Sequence, residues 1–546
     1  MLTGWFLGLV FCLAAFSRGL DVPSVSYKTV LEIRSVAGLL ILLVPLYLIG
    51  VYQMPHRVNT DEIIFLMTAD GLLQNPHPDL FGLTHYFGFP AGSFLVIGRM
   101  SQWLGGIGLE QVRWVNGFFG LCTVGAAYAY YRYLWAKREA WWAALLFGTS
   151  QALVGISRMA VRDNLPVFVE IVAMVLLIRG LARRSRASLL LGGFVAGLGV
   201  YNYYSARIIF IVWTIFLAFL WAVLPRPNRL KKLVLAWSTS ALGFFLVAAP
   251  MAIASWKGRQ ELIGYPAGQF VFSQEGHHIV EMWEGMPFRK AYWSNLWKGL
   301  TVFNNGLSDR GNIYINPRHG FLDPVSGMFL WVGVAVWFFH RRRSLPQRLA
   351  ASGLLVIWLF LSILTTKNPE YSRMLVVLPF AILFAFQGMQ WVARKIAPQH
   401  SRMVLRTLVF LVALGNIYIY LDQTRQSHEV GDIPGETVRY VAQRSMLPSY
   451  TYYIVMDEEQ PYFWFGKTAW QPWVKYFAGE QQNAFLITSA VLRQPGPWPD
   501  WERPFTLFMN GQTWAIANQR LMQSFPQGQI HPMAPQNLAL AFEVLR

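Results

Sequence analysis

Charge is scarce in this sequence. Asp, Glu, Lys and Arg make up 14% of its 546 residues, against roughly 25% in ordinary soluble domains. So few charges cannot hold 54% hydrophobic and 16% aromatic residues in water. A soluble enzyme, a disordered chain and a nucleic-acid-binding domain are therefore poor readings. Cysteine is scarcer still. Cys12 and Cys122 both lie in apolar stretches, which rules out a disulfide framework and a cysteine metal motif. Acids are outnumbered, 28 against 46 Lys and Arg, for a net charge of +18. A Gly-rich phosphate loop, a Ser-His-Asp set and a CxxC pair are all missing, so nucleotide hydrolysis and thiol chemistry have no support. Internal repeats and low-complexity tracts are missing too.

Long apolar runs are what the chain has instead, and its mean hydropathy is +0.35. They match the roughly 20 residues a helix needs to cross a hydrocarbon core. The pattern predicts a polytopic α-helical membrane protein with about eleven spans, at 36–53, 113–134, 140–157, 165–180, 188–204, 208–224, 233–254, 322–339, 349–366, 374–393 and 403–421. Loops 135–139, 179–187, 225–232, 341–348 and 394–402 carry seventeen Lys and Arg against Glu139 alone, and all five fall on one side. The positive-inside rule makes that side cytoplasmic. The outer face then receives 54–112, 255–321 and the tail. Met1–Phe16 is apolar but lacks the basic start and cleavage site of a signal peptide, which leaves a twelfth span open. Residues 85–105 are read as juxtamembrane, because a span there would invert every later loop.

Three regions follow: an apolar segment and linker at 1–35, a membrane domain at 36–421, and an extracytoplasmic tail at 422–546. Within the tail, GETVRYVAQRS reads as a helix and YTYYIVM, AFLITSA, FTLFMNG and LALAFEVL read as strands. TWAIANQRLMQSF reads as a helix between the last two strands. The tail is thus expected to be a small α/β domain.

Several ionisable residues sit at outer span boundaries. Asp61 and Glu62 head a helix just after the first span, where Asn59 would cap and both acids would suit the positive end of the helix dipole. They would equally serve as a general base at the membrane face. SRMAVRDNLP places Arg158, Arg162 and Asp163 between the third and fourth spans. Asp163 reads as an N-cap ahead of Pro166, yet charges at a membrane boundary are costly unless paired or functional. Arg207 closes GVYNYYSAR, whose tyrosines read as an interfacial belt. Arg318 and His319 precede one span and Arg373 begins another; guanidinium there suits a phosphate, and a lipid anchor is the plainer use. His277, His278 and Glu281 in GHHIVE are too few for a zinc pattern and read as loop residues.

Taken together, these segments resemble the GT-C glycosyltransferases, in particular the protein O-mannosyltransferase and lipid A aminoarabinose transferase superfamily. The likeness runs over roughly 36–395. Asp61 and Glu62 match the family's acidic pair in its first outer loop, and SRMAVRDNLP resembles the segment with its second acidic residue, here Asp163. GLGVYNYYSAR, NPRHGFLDPVSG and PEYSRMLVVLP resemble further shared segments. One departure stands out: the family often has a Lys before a Pro pair in the first loop, where this chain has THYFGFPAG.

The resemblance implies transfer of a sugar from a polyprenyl-phosphate-linked donor to an acceptor hydroxyl at the outer face, with inversion. It implies Asp61, Glu62 and Asp163 as catalytic carboxylates and Arg162, Arg207, Arg318, His319 and Arg373 around the donor phosphate. It implies no cofactor and no metal, a protein, lipid or glycan acceptor, and no nucleic acid. A transporter or flippase of a lipid-linked anion and an inactive GT-C-shaped assembly subunit are the alternatives. Transporter sites, however, usually lie near the bilayer midplane, whereas these charges lie at span ends.

Overall fold

A computed structural model of the chain describes residues 27–51, 58, 60–76, 81, 83–84, 89–223, 227–257, 270–274, 276–278, 281, 287–305, 320–339, 344–365, 371–426, 451–456, 483–488, 492, 504–509, 511–532 and 540–544. Met1–Phe16, Arg318, His319 and the GETVRYVAQRS helix lie outside these described residues. Two compact units are present: 1–54 with 68–425, and 55–67 with 426–546.

The first unit is helical. Helix α1 is Tyr27–Leu48, and α2, Thr60–Gln74, supplies its later turns to this unit. Then come α3 (Gly92–Trp103), α4 (Leu109–Tyr131), α5 (Lys137–Thr149), α6 (Gln151–Ser157), α7 (Asn164–Arg183) and α8 (Arg186–Leu198). The order continues with α9 (Ile208–Val223), α10 (Pro227–Lys257), α11 (Phe288–Thr301), α12 (Pro324–Phe339) and α13 (Leu345–Trp358). Helices α14 (Tyr371–Met374), α15 (Leu378–Ile396) and α16 (Ser401–Gln426) close the unit.

Helix occupies most of the described residues in each of the eleven expected segments. Among the described residues, six helices are by themselves long and apolar enough to cross a membrane, within Asn164–Arg183, Tyr204–Val223, Leu230–Trp256, Leu345–Ile363, Tyr371–Ile396 and Ser401–Asp422. The pair α5 and α6 makes a seventh if taken as one span bent by 57°. At that bend the Gln151 backbone N–H donates to Asn416 Oδ1, so a side chain supplies an acceptor where the helical ladder is interrupted. The juxtamembrane stretch 85–105 contains the twelve-residue α3.

Small residues bring helices into backbone contact, as expected where lipid tails provide no hydrophobic drive for helix association. A Cβ on Gly333 of α12 would overlap the Phe384 carbonyl of α15, and one on Gly388 would overlap the Phe329 carbonyl in return. Gly193 of α8 meets the Ser240 carbonyl of α10 in the same way. Buried tyrosines lock other helices: Tyr47 donates to Gly148 O at 2.7 Å and Tyr131 to Pro379 O at 2.8 Å.

In the second unit a five-stranded mixed sheet comprises β1 (Thr451–Met456), β2 (Asn483–Thr488), β3 (Phe505–Met509), β4 (Gln529–Pro532) and β5 (Leu540–Val544). Helix α17, Gly511–Ser524, follows β3. Strand order is β2-β1-β3-β5-β4, with β1 parallel to β2 and β3, and β5 antiparallel to β3 and β4. Central β3 is buried at all five positions, four of them apolar and the fifth Thr506, as suits a strand covered on both faces. Phe505, Leu507 and Phe542 pack with Ala517 and Leu521 of α17. The expected pattern had no strand at 529–532, which places α17 between β3 and β4. Gln-Ile-His-Pro carries one strong strand former and ends in proline, so only its pairing with β5 reveals it as an edge strand.

Candidate functional site

The site is built on the turn between α6 and α7. Asn116, fully buried on α4, donates through Nδ2 to Met159 O at 2.7 Å and Val161 O at 2.6 Å. Asn164 then donates to Asn116 O and to Ser157 Oγ, both at 2.9 Å. Two buried amides therefore pair the backbone of a non-helical turn that lies inside the protein, where polar groups must find partners. The turn so fixed carries Arg162 and Asp163, which are 4% and 2% exposed. Asp163 stands at the N-cap position of α7, yet its side chain makes no capping hydrogen bond, so the simple capping reading does not describe it.

Arg158 has a different task. Its guanidinium donates to Leu46 O at 2.6 Å and Ile49 O at 2.8 Å, two carbonyls at the C-terminal end of α1. A cation there satisfies terminal carbonyls and complements the helix dipole.

Arg162 instead faces aromatic rings. Its guanidinium carbon lies 4.0 Å from the Phe89 ring centroid and 4.8 Å from that of Tyr203. Phe89 is presented by a short antiparallel bridge, Leu83 to Pro90, with Thr84 N donating to Phe89 O at 2.7 Å. Tyr203 and Tyr204 sit in an irregular passage around two 3-10 turns, Gly199–Tyr201 and Tyr204–Arg207. Phe89 packs against both tyrosines at centroid separations of 5.5 and 5.3 Å. That passage lies close to the start of α3: a Cβ on Gly92 would overlap Tyr201.

Two further arginines reach the same rings. Arg207 lies 4.5 Å from the Tyr204 centroid, and Arg373, at the start of the helical segment Tyr371–Ile396, donates from Nε to the Tyr203 hydroxyl at 3.3 Å. The structure thus brings Arg162, Arg207 and Arg373, from three separate parts of the sequence, to one Phe89–Tyr203–Tyr204 cluster. Such a group can bind a polyanion, since each guanidinium offers a planar fork of donors and the rings hold its plane.

Asp61 and Glu62 occupy the first turn of α2; Glu62 is fully buried and Asp61 partly so. Their residues group with the second unit. The GHHIVE residues are engaged locally: the His277 ring lies 2.6 Å from Val271 O and stacks on Phe288, while Glu281 accepts from Phe288 N at 3.1 Å. Sequence reasoning passed over Phe89, and treated Tyr203 and Tyr204 as belt residues. The Arg-rich, Tyr-rich spacing was visible, but nothing in THYFGFPAG marks Phe89 as a partner of Arg162.

The sequence profile described as dolichyl-phosphate-mannose-protein mannosyltransferase matches residues 64–256. No curated protein sequence matches the chain significantly. Among solved structures, ArnT from Cupriavidus metallidurans bound to undecaprenyl phosphate aligns with a TM-score of 0.55 at 12% identity, over 95% of this chain and 98% of its own. The oligosaccharyltransferase AglB from Archaeoglobus fulgidus, in complex with an inhibitory peptide and a dolichol-phosphate, aligns with a TM-score of 0.51 at 14% identity, over 84% of this chain and 65% of its own.

Proposed function

We propose that this chain, which has the fold of the GT-C glycosyltransferases, moves a sugar from a polyprenyl-phosphate-linked donor to an acceptor hydroxyl at the outer membrane face. The observation that carries the reading is the convergence of Arg162, Arg207 and Arg373 on one aromatic cluster. Undecaprenyl phosphate in ArnT and dolichol-phosphate in AglB support a lipid phosphate as the anion held there. Arg318 and His319 are assigned to the same phosphate.

In this reading a carboxylate, Asp61, takes the proton of the acceptor hydroxyl. The acceptor oxygen attacks the anomeric carbon, and the bond from that carbon to the phosphate oxygen breaks. Its electron pair leaves on polyprenyl phosphate, and the configuration inverts. Arginines fixed before the reaction stabilise that growing charge without reorganising. Glu62 and Asp163 are the further carboxylates. Because phosphate is already a competent leaving group under such a clamp, the scheme calls for no metal or other cofactor.

About eleven spans, cytoplasmic Arg-rich loops and an extracytoplasmic domain at 422–546 complete the proposal. The acceptor is a protein, lipid or glycan of the cell envelope. Binding of undecaprenyl phosphate to purified protein tests the anion site directly. Parent protein should bind it, and Arg162→Gln, Arg207→Gln and Arg373→Gln should each weaken binding by roughly 10-fold or more, since hydrogen bonds to charged groups contribute about 1.5–3 kcal/mol. Parent-like affinity in all three variants would reject the assignment.

A further inference from the structure

Helix α11, FRKAYWSNLWKGLT, stands apart from the arginine cluster and has two different faces. Ala291, Asn295 and Gly299 are its buried residues. That face is fastened to the end of a membrane-length helix, Leu345–Ile363: Gly299 O accepts from Trp358 Nε1 at 2.8 Å and from Ser362 Oγ at 3.2 Å. Gly299 is obligatory there, because a Cβ would come within 2.9 Å of Ser362 O. The helix therefore sits at the level where a span ends.

Its other face is open and sets tryptophan beside basic residues. Trp293 and Trp297, one turn apart, are 60% and 66% exposed, and Leu300 is 38% exposed. Phe272, 78% exposed, adjoins the same span end, because Phe270 bridges Thr365 and Val271 N donates to Leu364 O. Arg289, Lys290 and Lys298 give α11 three positive charges, and the helix has no acid.

We propose that α11 is an in-plane interfacial helix whose partner is an anionic phospholipid surface, with Trp293 and Trp297 at the headgroup–acyl boundary and Arg289, Lys290 and Lys298 on lipid phosphates. Three observations favour lipid over a protein partner. Tryptophan is the side chain of choice at this depth. A helix whose open face carries Trp and Leu flanked by Arg and Lys, whose long side chains can reach outward to headgroups, has the composition that lies in an interface. Attachment to a span end puts the helix at the bilayer boundary whatever else binds. The inference does not depend on the sugar-transfer reading, because it uses none of those residues.

The test uses full-length protein with Cys12→Ala and Cys122→Ala, carrying Ser294→Cys on the open face labelled with bimane. It is placed in phosphatidylcholine nanodiscs doped with equal mole fractions of brominated phosphatidylcholine or brominated phosphatidylglycerol. Bromine near the headgroup should quench the label more than bromine deep in the chain, and the glycerol lipid should quench more than the choline lipid. Replacing Arg289, Lys290 and Lys298 by Gln should remove that preference, since each basic residue near an anionic surface is worth roughly five-fold in lipid affinity. No quenching by either lipid would overturn the proposal and leave the face to a macromolecular partner. Equal quenching by both in the parent would overturn its anionic specificity.

Discussion

Replacing Asn116 tests whether the turn carrying Arg162 and Asp163 is held by its two amide donations. Asn116→Ala removes the bonds to Met159 O and Val161 O, at 2.7 and 2.6 Å, from a site with no solvent. Two orphaned carbonyls at the water-soluble rate of about 1–3 kcal/mol each would cost about 2–6 kcal/mol. Side-chain hydrogen bonds between membrane helices average only about 0.6 kcal/mol and reach about 1.7, because the unfolded chain in the membrane also finds partners. That reference is the apt one here, so the expected loss is about 1–3 kcal/mol. Asn116→Asp is isosteric and should be worse than Ala: an ionised carboxylate faces two carbonyl oxygens, and a protonated one can donate to only one. Thermal unfolding in nanodiscs gives the stability order parent, Ala, Asp. Turnover measured well below each unfolding midpoint should also fall, because a displacement of about 1 Å at a reacting group costs on the order of 10²-fold. An Asn116→Asp protein that unfolds and turns over like the parent would refute the reasoning.

Other outcomes follow from the same geometry. Arg162→Lys keeps the charge but loses the planar fork that faces Phe89 and Tyr203, so donor KM should rise, with Arg162→Gln rising further; equal kinetics in all three would make Arg162 a packing residue. Asp163→Asn should lower kcat when turnover is measured well below its unfolding midpoint; a fall in stability alone would return it to a structural role. Gly333→Ala should destabilise by about 1–3 kcal/mol through overpacking against α15, whereas Gly125→Ala, whose Cβ would meet only Leu40 at 3.9 Å, should not. Glu32, ahead of the first expected span, is held below its ordinary range by hydrogen bonds from Arg132. A depressed acid contributes stability above its unfolded value of 4.5 that is lost as pH falls through the folded one. Parent protein should therefore lose more stability than Arg132→Gln on acidification below pH 4.5, by a small amount because both groups are about a third exposed.

Length and apolarity made the helices legible, since a segment that must satisfy its own backbone in lipid has helix as its main option. The same logic hid the interruptions. Ser150, where α5 breaks to α6, follows Gly148 inside an apolar stretch that otherwise reads as one span, and Leu359–Ile363, a π-helical turn, has no Pro or Gly to announce it. Strand β3 is legible because FTLFM is apolar at four of its five positions and its Thr is itself a strand former, whereas β4 has a single strong strand former and exists by pairing with β5. At the site, the arginines were conspicuous because charge is expensive at a membrane boundary. Their convergence was not, because Arg162, Arg207 and Arg373 lie far apart in sequence and meet only through helix packing. Arg158 and Arg162 look alike in SRMAVRDNLP, yet one turn of backbone sends the first to the carbonyls of α1 and the second to Phe89 and Tyr203.

The central claim is sugar transfer from a lipid phosphate with Asp61 as base. Purified protein in nanodiscs should release free polyprenyl phosphate from a polyprenyl-phosphate-linked sugar in one-to-one proportion with glycosylated acceptor. Asp61→Asn should lower that rate by about 10²–10⁴-fold while still binding the donor. Donor binding without release in the parent, or parental turnover in Asp61→Asn, would contradict it.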